Sequence, residues 1–458
     1  MIINTLFSLS IQFILAKILT PNDFGVLAMA VVFTAFIEVI SDAGMSAVLI
    51  QKKKDFLKPT HYHTANITGF LWSIFLFSIM TLIVAPFASA YMKAEILSKV
   101  IPVLCLSLIF NAIILIPKSI LIKNMKFREI AVISNLSNLL SGIIAVLLAI
   151  NDFGLWSLVC YIVCKSLFSI PFYYHFSKWR PKIIWEKKCF TDIFSFGITT
   201  SATSFVNVLT GKFDFFIIGK ILGSSLLGYY SFAILITNLF RDRLVAVLNK
   251  VLYPVYTTLQ EDKNKMLSTF IKTTSINITF IYPLMFGIIL FSEDFLYLFF
   301  ENKWNDSIIL IKIFSFTVLI QMLNNSHTTL IRAKGDVKIE LFLQLTKSLI
   351  FFVPLIYFGT YNFGLVGSAV GYLIATILSI IISFVVMKNI FNFKFILLIK
   401  IIGKKILIFT LIFLLISFVK LHISWLVSFM FYMTLILIYF FTFEKEIFRI
   451  LKKVTSKN

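Results

Sequence analysis

The chain has 458 residues, of which 59% are hydrophobic and 16% aromatic, with a net charge of +21 and a mean hydropathy of +0.96. Soluble domains are apolar over about half of their residues, so this composition excludes a soluble globular protein. The positive charge does not indicate a nucleic-acid partner, because the basic residues lie in alternate short connections between apolar runs, the pattern that orients a chain in a bilayer.

Apolar runs near twenty residues, each able to cross a hydrocarbon core of roughly 30 Å, recur from end to end. Fourteen spans are predicted, at 2–19, 23–42, 64–88, 96–121, 129–150, 153–176, 193–218, 226–251, 270–292, 306–331, 339–358, 363–387, 401–420 and 422–441. The first begins at Met1, with no charged lead or small-residue cleavage site of a signal peptide. Connections after the even-numbered spans are basic, among them QKKKDFLK, KNMKFR and SKWRPKIIWEKK, as is the tail EKEIFRILKK. This bias predicts that both termini and the basic loops face the cytoplasm of a plasma-membrane protein. No connection is long enough to form an extramembrane domain.

KILTPNDFGVLAMA, Lys17 to Ala30, returns as KILGSSLLGYYSFA, Lys220 to Ala233, so Gly25 matches Gly228 at an offset of 203. DFGL at Asp152 returns as NFGL at Asn362, and LIK ending at Lys123 returns as LIR ending at Arg332, at offsets of 210 and 209. Three matches in order imply a duplicated unit. Six spans separate the copies, so equivalent helices cross in the same direction and the halves are parallel repeats. The expected division is residues 1–180, 190–390, two additional spans over 400–441, and a basic tail over 442–458. A substrate route is expected between the halves.

Ionisable groups within spans are costly and are functional candidates by default. Span eight carries Arg241, Asp242 and Arg243, and only six of the forty-two basic residues are arginine. A guanidinium can grip phosphate oxygens at two points and stays charged when buried. Arg241 shares a helical face with Ser231 and Asn238, whereas Arg243 points elsewhere. Span seven has a stripe of Thr200, Ser204, Asn207, Gly211 and Asp214, suited to lining a cavity or to close packing. Lys165 in span six and Lys347 in span eleven are further candidates to attract an anion, with internal pairing or snorkelling as the alternative. Ser134, Asn135, Ser137, Asn138 and Ser141 form a polar patch in span five, open to a hydroxyl-rich ligand or to helix packing. Glu38 and Asp42 lie in span two, and Glu38 takes the register of Arg241; an ion pair between them that forms or breaks during transport is one hypothesis. The expected substrate-binding set is therefore Arg241, Lys165, Lys347, Arg243 and Asn207, with Glu38, Asp42 and Asp214 for gating or ion coupling.

The glycine-lysine pairs at Gly211 and Gly403 lack the rest of a P-loop, and there is no HExxH or GxSxG. Cys105, Cys160, Cys164 and Cys189 form no Cys-x-x-Cys pair and have no histidine at zinc spacing. No catalytic residue, metal or cofactor is expected. His327 stands alone in span ten and is expected to be solvated or internally bonded.

LAKILTPNDFGVLAMAVVFTAFIEVISDAGMSAVLIQ resembles the opening of the polysaccharide-flippase branch of the multidrug/oligosaccharidyl-lipid/polysaccharide exporter superfamily, which includes the Wzx-type O-antigen and exopolysaccharide flippases. MKFREIA, FGLWSLV, KWRPKI, FDFFIIGKILGSSLLGYYSFA and VLYPVYTTLQED resemble it in the same order, and Asp214 matches the Asp that precedes the IG pair of that branch. The first span is shorter at its start than is usual in the branch. The resemblance implies an all-α polytopic protein of two pseudo-symmetric six-helix lobes plus two C-terminal helices. It further implies alternating access and an undecaprenyl-diphosphate-linked oligosaccharide as cargo, moved from the inner to the outer leaflet. Membrane lipids are implied neighbours, and a glycan polymerase and glycosyltransferases are implied pathway partners. Rival readings are a lipid II flippase, a drug or cation antiporter of the same superfamily, and a membrane glycan polymerase or ligase. The basic central charges disfavour the antiporter, and the short outward connections disfavour the enzyme.

Overall fold

A computed structural model describes residues 2–42, 44–52, 57–259, 262–334 and 337–443. Among these residues the structure is helical, without strands. In hydrocarbon every backbone N–H and C=O needs a partner within the chain, and helices supply one locally. The helices are α1 (Ile2–Ile18), α2 (Pro21–Asp42), α3 (Met45–Gln51), α4 (Pro59–Ile79), α5 (Ala85–Met92), α6 (Leu97–Lys123), α7 (Phe127–Ile150), α8 (Leu155–Ser177) and α9 (Lys187–Leu222). They continue as α10 (Ser224–Thr258), α11 (Lys263–Phe300), α12 (Asn305–Met322), α13 (His327–Lys334), α14 (Val337–Thr346), α15 (Val353–Phe391), α16 (Phe395–Lys420) and α17 (Trp425–Phe443). π-helical turns at Met80–Val84 and Lys347–Phe352 join α4 to α5 and α14 to α15.

Among the described residues, ten helical runs are long and apolar enough to cross a membrane. One such run, Phe342–Phe391, takes in all of predicted span twelve and all but the first three residues of span eleven, and Phe7–Ile18 and Ser224–Leu239 are apolar but shorter. The molecule is thus a multi-pass helical membrane protein. The helices divide into two compact units, one of Met1–Phe232 with Thr360–Ser368, the other of Ala233–Gly359 with Ala369–Asn458.

In the first unit α8 packs on α6 and α7, α1 on α7, α4 on α6, and α2 on both α6 and α9. The start of α2 is written in its sequence. Pro21 at the first helical position suits the fixed proline φ, and Thr20 and Asp23 cap each other: Thr20 N and Oγ1 donate to Asp23 Oδ2 at 2.9 and 2.6 Å, and Asp23 N donates to Thr20 Oγ1 at 3.3 Å. The repeated FGL segments share a second device. Gly154 has φ +51° and ψ −127°, and Gly364 φ +62° and ψ −143°, a region that glycine alone enters without strain.

In the second unit α11 is central, packing on α12, α16 and α17. Its buried Phe270, Ile278, Tyr282 and Met285 meet Met322, Phe409 and Tyr439. The Tyr432 hydroxyl on α17 donates to the carbonyl of Pro283, and Lys405 Nζ on α16 donates to Thr279 Oγ1 at 2.7 Å, so the two last helices are bound into this core. Asp262 caps α11 through the amide of Lys265 at 3.0 Å; that amide and the Lys265 ammonium hold its carboxyl below the usual range.

Candidate functional site

The repeat noted in the sequence meets itself in the structure. Within the first unit, the turn between α1 and α2 packs against the turn between α9 and α10. A Cβ at Gly25 would overlap the carbonyl oxygen of Ser224, and a Cβ at Gly228 would overlap that of Pro21. Ser224 stands 203 positions after Pro21, as Gly228 does after Gly25, so the contact is reciprocal. Ser224 Oγ donates to Asn22 Oδ1, Phe24 meets Phe232 edge-on at 6.5 Å, and a Cβ at Gly219 would lie 3.3 Å from Met29. Only a residue without a side chain lets two backbones approach this closely.

The cationic site lies in the second unit, on α10. The guanidinium of Arg241 donates to Asp242 Oδ1 from Nε at 3.0 Å and from Nη2 at 2.7 Å, and to Gln321 Oε1 of α12 from Nη1. The Arg241 side chain is 20% exposed and that of Asp242 61%. A narrow cleft beside it is lined by Thr237, Asn238, Arg241, Thr317, Gln321 and Tyr372 together with apolar side chains. Amides and one guanidinium thus line the same space, which suits an anionic or hydroxyl-rich group, while the Thr237 and Thr317 hydroxyls donate to carbonyls of their own helices. Asn238 joins Arg241 there, as their shared face required. Gln321 was missed: an amide in an apolar run is visible in the sequence, but its pairing across 80 residues is not.

The remaining candidates fall in several places. Lys165 is half-buried on α8, with Nζ 6.0 Å from the centre of the Tyr161 ring. Lys347 Nζ lies 2.8 Å from His327 Nε2, whose Nδ1 is 2.6 Å from the carbonyl oxygen of Asn324; the imidazole accepts from lysine and donates to the backbone. His327 is internally bonded, and Lys347 is its partner. Asp214 is buried on α9, accepting from the Tyr230 hydroxyl at 3.1 Å and the Phe215 amide at 2.9 Å. Asp42 accepts from the amide and hydroxyl of Ser46 at 3.3 and 2.5 Å, tying α2 to the start of α3. Glu38 is exposed on α2. The side chains of Arg243 and Asn207 lie outside the described residues, although both positions are helical.

Ser134 and Asn138 of the polar patch of span five serve packing. Asn4 Nδ2 of α1 donates to Ser134 Oγ at 2.7 Å, Asn138 Nδ2 donates to Asn4 Oδ1 at 3.1 Å, and the Tyr161 hydroxyl donates to Asn138 Oδ1 at 2.6 Å. These bonds join α1, α7 and α8 and use up the groups that make them.

The family described as "Polysaccharide biosynthesis protein" matches residues 14–309. An uncharacterized membrane protein in the cps region of Klebsiella pneumoniae is 26% identical over 379 residues, covering 81% of this chain and 76% of its own. The lipopolysaccharide biosynthesis protein WzxC of Escherichia coli is 25% identical over 384 residues, covering 82% and 76%. Among solved structures, the lipid II flippase MurJ in an inward closed conformation superposes with a TM-score of 0.75 at 16% identity, over 97% of this chain and 98% of that one. An inward-facing multidrug resistance MATE family transporter of the MOP superfamily gives 0.67 at 14% identity, over 85% and 94%.

Proposed function

Because this chain belongs to the family of polysaccharide biosynthesis proteins, we propose that it is a flippase for undecaprenyl-diphosphate-linked oligosaccharide. It carries the repeat unit of an O-antigen or exopolysaccharide from the cytoplasmic to the outer leaflet of the plasma membrane, with both termini in the cytoplasm. It is a transporter and not an enzyme.

The observation that carries the reading is the Arg241 cleft. A diphosphate bearing a glycan cannot enter hydrocarbon unless polar groups replace its hydration. Arg241 offers a fork that cannot be neutralised, and Asp242 occupies it through a carboxylate that is 61% exposed. A diphosphate oxygen displaces that carboxylate without leaving the guanidinium unpaired, while the amides of Asn238 and Gln321 suit sugar hydroxyls. Release is the reverse exchange, so binding stays loose enough for a carrier. In alternating access the Gly25–Gly228 contact, which lies away from the basic loops, serves as the outward closure.

The test is complementation of a strain lacking a glycan flippase, with lipid-linked repeat units quantified on each leaflet. Restored surface glycan is expected. Accumulation on the inner leaflet despite normal expression would overturn the proposal.

A further inference from the structure

The connection between α8 and α9 is an ordered strap. Lys178 ends α8 with φ +55°, and residues 179–186 run without helix to the start of α9. Two side chains of α4 pin the strap. His63 Nδ1 accepts from the amide of Lys182 at 3.2 Å, and Thr64 Oγ1 accepts from the amide of Glu186 at 3.2 Å. Trp179 stacks on His63 with ring centres 5.5 Å apart. Between the two pins the chain turns outward, and Ile183 is 99% exposed, with Trp185 half-exposed and Ile184 beside it. Trp185 Nε1 donates to Thr68 Oγ1 at 3.3 Å, which points the indole along α4.

Ile183 lies outside the predicted spans, and burying such a side chain gains about 1.5–3 kcal/mol. Five exposed cations flank it: Lys178, Arg180, Lys182, Lys187 and Lys188. Tryptophan favours the boundary of headgroup and acyl chain, and cations beside an apolar tip match anionic headgroups over hydrocarbon. We propose that residues 178–188 form an interfacial anchor, with Ile183, Ile184 and Trp185 seated among the upper acyl carbons of the adjoining leaflet and the five cations on anionic phospholipid headgroups. The anchor is independent of the cargo. It ties the segment between the two repeats to the membrane surface.

The test uses the full chain in nanodiscs, with the four native cysteines replaced and an environment-sensitive fluorophore at Ile183→Cys. A probe at Leu82→Cys, 75% exposed within a span, serves as the lipid-embedded control. Quenching by brominated phosphatidylglycerol is compared with quenching by brominated phosphatidylcholine and by aqueous iodide. The expected result is strong quenching by brominated lipid, weak quenching by iodide, and a bias toward phosphatidylglycerol. That bias falls by up to about fivefold for each of Arg180→Gln, Lys182→Gln and Lys187→Gln, the ratio to which ~1 kcal/mol per cation corresponds. Full iodide access without lipid quenching would overturn the anchor. Equal quenching by the two lipids would overturn the anionic partner. Shielding from all quenchers would mean that a second copy or another protein covers the strap, and would overturn the proposal as well. None of these results depends on glycan export, which is measured separately.

Discussion

Two regions show where the repeats stay alike and where they part. At the turn contact, Pro21 and Gly25 answer Ser224 and Gly228, and each glycine admits the backbone of the other copy. Thirteen residues further along each helix, the same register holds Glu38 on α2 and Arg241 on α10. The backbone contact is symmetric because its requirement is steric and falls equally on both copies. The charges are opposite: the guanidinium lies in a cleft with the amides of Asn238 and Gln321, and Glu38 is exposed on α2. Symmetry survives where chains must approach and is broken at the position that the proposed function gives to an anion.

The largest effect is expected at the contact. Gly25→Leu places a side chain against the Ser224 carbonyl and abolishes export per folded molecule, whereas Gly211→Leu, with open space around its Cβ position, leaves export near normal. Surface glycan normalised to monodisperse protein reads both; equal export by Gly25→Leu and wild type would remove any need for close approach.

Arg241→Gln comes next. Hydrogen bonds to a charged group contribute about 1.5–3 kcal/mol, so binding of the lipid-linked substrate weakens by about 10- to 100-fold. Gln321→Leu removes a neutral partner and weakens binding only about fivefold. Comparable losses in the two variants would place the anion elsewhere. The double variant Glu38→Arg with Arg241→Glu asks about the asymmetry itself. Recovery of export above either single variant is expected if opposite charge matters more than its position; strict additivity would sever the two.

The smallest effect on transport is expected in the packed network. Asn138→Leu takes the donor from Asn4 Oδ1 and the acceptor from the Tyr161 hydroxyl and destabilises the fold by about 1–3 kcal/mol, read as a lowered unfolding temperature in detergent. Export per folded molecule stays close to wild type. A selective loss of export at normal stability would make this patch part of the cargo path.

Much of this was legible in one dimension. The all-helical multi-pass class follows from apolar runs and the shared helix side of Asn238 and Arg241 from spacing, whereas span two is expected from residue 23 and α2 begins at Pro21. Other features were not. Ser134 and Asn138 read equally well as ligand groups until Asn4 and Tyr161 were seen to bind them. Lys347 read as an anion site until His327 was seen to accept its hydrogen bond, because a residue's partner lies at a sequence distance that periodicity does not encode.

By itself the sequence determined the solvent this chain inhabits, its duplication and the glycines at Gly25 and Gly228, because hydrophobicity and backbone freedom are local properties. The tertiary structure alone decided that those two glycines meet, that Arg241 faces Gln321, and that the strap is pinned on His63 and Thr64. Each of these joins residues far apart along the chain, and only packing chooses among the partners that local chemistry permits.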